Sequence, residues 1–287
     1  MHDQISLIVA DRTENHARIL LSVREGSGIA EITGTVRGPY SEFAKTLTAD
    51  FPLKPTATVT VEALIVEPCY WTPHMPFWYD FRLQLRLSDG TQREEIHRAG
   101  IRRLFCEGRN IRLESKRIVL RGLRHNSPTE DDLRLARKCE TALLVNDPTP
   151  EFFLAANRLG VPLVVDLSEH QSIETKVFHR LDWSPAVMLV LMNLEQLTSS
   201  AIDFVRTRQC FVAAYVDGEI QQPNIKCDAF AVQLTSGERP PEWLAHCNKP
   251  VIVIRKDTAS EIASARTSCD RLQAELAPEF DLAGYFV

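Results

Sequence analysis

The side chains able to carry acid–base or nucleophilic chemistry collect where apolar runs end. Asp166 closes PLVVDL, Asn193 and Glu195 follow AVMLVLM, Asp217 follows FVAAYV and Arg255 follows VIVI, with His125, Glu169, His170, Glu219 and Asp257 at or near other such ends. Two carboxyls brought together can divide the work of proton donor and nucleophile, and Glu195, Asp166 and Asp217 are the carboxyls placed for it. Each residue also has a plain structural reading. A glutamate opening a helix complements its dipole, an aspartate ending a strand caps backbone, Arg255 can close an ion-pair network and His125 can serve as a hydrogen-bonding support. Candidate ligand contacts are His125, Asn193 and Arg255. There is no glycine-rich phosphate loop, metal-ligand cluster or Gly-x-Ser-x-Gly motif, so no metal and no cofactor is expected. The seven cysteines are scattered without a CxxC pair, which reads as reduced, mostly buried thiols rather than a disulfide framework or zinc site.

The elements that must position these residues are bounded first by composition. A chain of 287 residues suggests two domains. With 44% hydrophobic and 25% charged residues it should fold throughout as a soluble globular protein. No apolar run approaches the ~20 residues of a membrane span, so no membrane partner is expected. The net charge of −5 and pI near 5.9 argue against nucleic acid as a partner, because neutralising phosphates needs a basic face; the basic stretch from Arg98 to Arg124 is surrounded by acidic residues. The start, MHDQISLIVADRTENH, lacks a basic segment followed by a continuous apolar one. Cytoplasmic location is therefore the expectation.

From residue 5 to about 98 the pattern is of short strands between polar turns: ISLIVA, ARILLSV, AEITGTV, SEFAKTL, TATVTVEAL, FRLQLRL and REEIHR. In FRLQLRL, Phe81, Leu83, Leu85 and Leu87 alternate with polar residues, the period of a strand with one buried face. Seven such strands predict an immunoglobulin-like β-sandwich over residues 1–105. After residue 116 the pattern changes to eight apolar runs, beginning at IVLRGL and ending at LAGYFV, separated by helical stretches. Near-continuous apolar strands suit a parallel sheet covered on both faces, and eight repeats predict a compact (β/α)8 TIM-type barrel over residues 106–287, short in its loops and lacking the last helix. A flavodoxin-like open sheet is the alternative.

Four segments, in order, resemble glycoside hydrolase family 2, the β-galactosidase and β-glucuronidase group. WTPHMPFWYDFRLQLRLSDG, through Trp71, Thr72, Pro73, Pro76, Phe77 and Tyr79, is similar to the end of that family's immunoglobulin-like domain. AGIRRLFCEGRNIRLESKRIVLRGLRH, through Gly100, Arg102, Arg121, Gly122, Arg124 and His125, resembles its passage into the barrel. EFFLAANRLGVPLVVDLSE, through Leu159, Gly160, Val165 and Asp166, resembles the second barrel helix and third strand, and NKPVIVIRKD the seventh strand. The resemblance implies a truncated relative, without the family's N-terminal jelly roll.

The same resemblance places the family's two catalytic glutamates at Leu194 and Arg255. A leucine transfers no proton and a guanidinium is no nucleophile, so no catalysis is expected at those positions. The family's substrate-orienting Arg and His after strand two also have no counterpart, since Leu144, Val145, Asn146 and Asp147 stand there. Trp71, Phe77, Trp78 and Tyr79 are expected to pack mainly at the sandwich edge, with stacking on a sugar as the alternative. The reading is a pseudoenzyme that binds a carbohydrate or other small-molecule ligand, or that serves as a scaffold for a protein partner. Against it stand an active glycosidase using displaced carboxylates, with Glu195, one place along from the family's acid position, as candidate acid and Asp166 or Asp217 as nucleophile or base, and a purely structural interaction module. Arg255, at the family nucleophile position, should point into the barrel mouth and pair with Asp166 or Asp217.

Overall fold

The computed structural model describes residues 4–24, 26–57, 59–146, 148–169, 181–198, 201–202, 210–216, 221–235, 237–256 and 261–287. Its first part is an immunoglobulin-like sandwich of two antiparallel sheets. One runs β1 (Ile5–Arg12), β2 (His16–Val23), β6 (Thr60–Val66), β5 (Lys54–Ala57); the other runs β4 (Ala49–Pro52), β3 (Ile29–Tyr40), β7 (Trp78–Leu87), β8 (Gln92–Ala99). Alternation builds both. Along β7, Tyr79, Phe81, Leu83 and Leu85 are buried while Arg82, Gln84 and Arg86 face water, and across the gap Leu7, Ile19, Leu21 and Ile65 complete one core. The expected strand at SEFAKTL is not formed. Phe43 instead lies under the guanidinium of Arg137, 3.6 Å from its ring centroid, which commits this stretch to the helices beyond the sandwich.

A small antiparallel sheet, β9 (Leu104–Glu107), β10 (Asn110–Leu113) and β11 (Lys116–Ile118), follows; the division read from the sequence at 105/106 falls within β9. Then eight parallel strands close into a barrel: β12 (Leu120–Arg124), β13 (Ala142–Asn146), β14 (Leu163–Asp166), β15 (Val187–Met192), β16 (Phe211–Val216), β17 (Ala229–Leu234), β18 (Val251–Arg255) and β19 (Gly284–Phe286). Pairing of Leu120, Arg121 and Gly122 with Gly284, Tyr285 and Phe286 seals the seam, so the open-sheet alternative is excluded.

Helices α1 (Glu130–Lys138), α2 (Pro150–Leu159) and α3 (Ile262–Leu276) cover the outside. Their ends are written in the sequence. Thr129 and Asp132 form a reciprocal capping box, and Thr149 caps α2 ahead of Pro150. Gly160 ends α2 at φ 70°, where an added Cβ would lie 2.4 Å from the Pro73 carbonyl oxygen. Between β17 and β18, PEWLAHCN forms only a 3-10 turn over Glu242–His246. Its proline N-cap provides no side-chain hydrogen bond, and the turn is held by Trp243 edge-on to Phe230, ring centroids 5.2 Å apart.

Sandwich and barrel are tied by buried polar contacts. Arg102 is fully buried at the foot of β15, donating to the carbonyls of Pro185 and Val187. Burial pushes its guanidinium down to about 9, since nothing there solvates the charge as water does. Trp183 enters the sandwich core, edge-on to Phe81 and stacked on His97, and its indole donates to the Ile5 carbonyl at 3.2 Å. No helix among the described residues is long and apolar enough to cross a membrane. Removing the Arg102 tie would leave both a cavity and two orphaned carbonyls. Arg102→Ala should therefore lower unfolding free energy by on the order of 3 kcal/mol in urea titrations, and a loss below about 1 kcal/mol would contradict the assignment.

Candidate functional site

The barrel's C-terminal end opens into a cavity of about 1060 Å³, where active sites of this fold gather. Arg124, Asn146, Asp166, Asn193, Tyr215, Gln233 and Ile254 line it. All share one parity in the strand register, through Arg124↔Leu144, Asn146↔Asp166, Asp166↔Leu191 and Gln233↔Ile254. Side chains alternate along a barrel strand, so these are the inward members and their chain neighbours face the helices. Below them the interior is closed by packing. A Cβ on Gly122 would lie 2.3 Å from the Ala142 carbonyl oxygen and 2.6 Å from the Phe286 ring.

Arg255 is the outcome that differs most from expectation. It touches the rim of the cavity, but its guanidinium donates to Glu275 of α3 at 2.7 Å and to the Thr235 carbonyl at 2.7 Å, with no bond to Asp166. The reason is parity: Ile252 sits against Gly284 on the inner face, so Ile254 is inward and Arg255 outward. The inward side chain at the end of the seventh strand is thus an isoleucine, followed by Lys256 on the cavity wall.

Asp166 does lie in the mouth, 3% exposed, and its oxygens are occupied. Oδ2 is paired with Arg124 at 3.0 Å, and Oδ1 accepts from the Ser168 amide at 3.0 Å and its hydroxyl at 2.6 Å. Glu195, the candidate acid, is exposed on the turn after β15 and does not line the cavity. Leu194 is half-buried against the barrel core. Asn193 lines the mouth, yet its amide donates to the Ser168 carbonyl at 3.0 Å and accepts from the Gln196 amide at 2.9 Å, so it holds the loop. His125 is on the wall, its Nε2 3.8 Å from Asp132 of the α1 cap. Glu169 stands exposed at the rim. His170, Asp217, Glu219 and Asp257, like Asp147, lie outside the described residues. Among the described residues, then, the cavity-lining carboxylates are Asp166 and Glu169.

Sequence reading missed Tyr215 and Gln233, and took Arg124 only as part of a motif. Inward parity extended from Asp166 through the strand register marks them, and the apolar runs alone do not carry that register. Asn146 matters more than its place at the end of the second apolar run suggested: its Oδ1 is buried and has no hydrogen-bond partner among the described residues. The aromatics divide. Trp71 and Tyr79 are packing residues, with the Trp71 indole donating to the Asn157 carbonyl at 2.8 Å and the Tyr79 hydroxyl accepting from the Cys69 amide at 2.9 Å. Phe77 and Trp78 are half-buried. All seven cysteines are free thiols, and burial pushes Cys269 up to about 11.

Solved structures with this architecture include β-glucuronidases. The enzyme from Bacteroides uniformis superposes at TM-score 0.65 with 14% identity, over 100% of this chain and 46% of that one. The Dictyoglomus thermophilum enzyme gives 0.63 and 11%, over 99% and 61%. That of Ruminococcus gnavus, solved with D-glucaro-δ-lactam, gives 0.64 and 12%, over 99% and 60%. The chain thus spans about half to three-fifths of the length of these structures, and at such identities the likeness is one of fold. It bears out the family 2 resemblance at that level. No family model matches the sequence, and no curated protein does.

The two arginines should respond differently to truncation. Arg124→Ala strands a buried Asp166 and should cost on the order of 3 kcal/mol, whereas Arg255→Ala frees a half-exposed Glu275 and should cost about 1 kcal/mol. A double-mutant cycle should give coupling for Arg255 with Glu275 and none with Asp166; the reverse pattern would mean the side chain faces the mouth.

Proposed function

We propose that the chain binds a carbohydrate-like small molecule in the barrel mouth without hydrolysing it. The observation that carries this reading is the make-up of the cavity: about 1060 Å³ of largely polar space in which, among the described residues, Leu194 and Ile254 leave no facing pair of carboxyls. A retaining glycosidase needs two such groups about 5–5.5 Å apart, one free to attack and one to give up a proton. Asp166, held by Arg124 and Ser168, has no oxygen left unengaged for attack.

Binding has better support. The Asn146 Oδ1, buried without a donor, is the kind of atom that a ligand hydroxyl satisfies, and an orphaned buried acceptor costs ~1–3 kcal/mol until it is met. Tyr215, Gln233 and Lys256 add hydrogen-bonding groups to the same wall. Solved structures with this fold include β-glucuronidases, which makes a pyranose the first ligand class to try. The scaffold reading, with a protein as partner, has no comparable observation behind it.

The chain should show no turnover of aryl β-glucuronides, β-galactosides or β-mannosides above buffer. Calorimetric titration with D-glucaro-1,5-lactone or D-glucuronate should instead give saturable binding that Asn146→Ala weakens by about tenfold, the worth of one well-placed hydrogen bond to a buried group. Turnover that vanishes in Asp166→Asn, Asp217→Asn or Glu195→Gln would overturn the proposal in favour of relocated catalysis.

A further inference from the structure

A second cavity, sharing no lining residue with the barrel mouth, lies between the outer face of the β3–β7–β8 sheet and helix α2. Its volume is about 260 Å³. The buried Trp71 forms its floor, the half-buried Trp78 indole one flank and Leu154, 40% exposed on α2, the other. Strand β7 explains the indole: Trp78 has the outward parity of Asp80 and Arg82, so it stands off the sheet toward the helix, where it stacks on Tyr40 at 6.1 Å.

The charges at the rim decide what fits. Arg98 donates to Asp80 at 3.1 Å, and Arg158 donates to Glu42 at 2.6 Å and to Glu130 at 2.7 Å. Glu130 is in turn held by Arg134. Both cations are therefore neutralised, and an anion would find no spare positive charge. Glu151, in the first turn of α2, is the remaining rim carboxylate and has no hydrogen bond or ion pair among the described residues. A neutral apolar guest would leave that exposed carboxylate to water and gain nothing from it. A cation with an apolar body satisfies both parts, its ammonium meeting Glu151 and its body the indole and Leu154. The Trp78 ring already accepts one cation, the Arg98 guanidinium 5.9 Å from its centroid.

We infer that this cavity is a binding site for a small primary arylalkylamine in its ammonium form. The volume lies just under the ~300–1,000 Å³ of sites for drug-sized ligands, which suits a single-ring amine. The site is independent of what the barrel mouth does.

Calorimetry on the full chain at neutral pH, with 2-phenylethylammonium, 2-phenylethanol and 3-phenylpropionate as probes, tests it. The ammonium should bind saturably and about tenfold or more tighter than the alcohol or the carboxylate. Glu151→Gln, an exposed position whose loss should leave the melting temperature unchanged, should bring the ammonium down to the level of the alcohol. Trp78→Phe should weaken the ammonium and the alcohol alike. Absence of binding by the ammonium, equal binding by the alcohol, or ammonium affinity unmoved by Glu151→Gln would each overturn the inference.

Discussion

Closure of eight parallel strands into a ring is the constraint from which the rest follows. Once Leu120 to Gly122 pair with Gly284 to Phe286, every strand has one face committed to a shared interior and the other to the surrounding helices. The interior is too narrow for freedom: Gly122 and Gly284 stand where the Phe286 ring and the Ile252 side chain leave no space for a Cβ. A one-residue slip would exchange the two faces throughout. Which side chains can reach a ligand at the mouth is therefore settled by backbone parity before any chemistry of the individual residues matters.

That parity also sorts the charges. Outward arginines at strand positions bind the helix layer, Arg255 through Glu275 and Arg121 through Asp270 at 2.9 Å, so α3 is fastened to both β18 and β12. The inward arginine, Arg124, has no helix to meet and pairs across the mouth with Asp166. A strand-end carboxylate that balances a neighbouring guanidinium in partial burial holds the wall of the cavity together. Below, Arg102 does the analogous task against backbone carbonyls, fixing the sandwich to the floor of the barrel.

Much of this was legible from residues alone, and the reasons are local. Strand β7 shows its buried face by strict alternation, the eight barrel strands by apolar runs of suitable length, and α1 and α2 by their Thr caps with Asp132, Pro150 and Gly160 in place. Asp166 was placed at the mouth correctly because it ends a strand. What failed required information that a run of apolar residues does not carry. VIVIR is buried on both faces, so its composition cannot say whether Ile254 or Arg255 faces inward, and only the pairing Ile252↔Gly284 decides it. SEFAKTL has strand-like composition, but Phe43 is claimed by Arg137 from a distant helix. Glu195, one residue from the family's acid position, is left on an exposed turn by the Asn193–Gln196 hydrogen bonds that shape that loop.

The proposed role requires that no carboxylate of the mouth attack an anomeric carbon; among the described residues those carboxylates are Asp166, paired with Arg124, and Glu169 at the rim. Covalent trapping tests it most directly, because a retaining enzyme must pass through a glycosyl ester on its nucleophile. The full chain, incubated with 2-deoxy-2-fluoro-β-D-glucuronyl fluoride and read by intact mass spectrometry, should show only the unmodified protein. A stoichiometric glycosyl adduct, mapped by peptide digestion to Asp166, Asp217 or any other carboxylate of the mouth, would contradict the account.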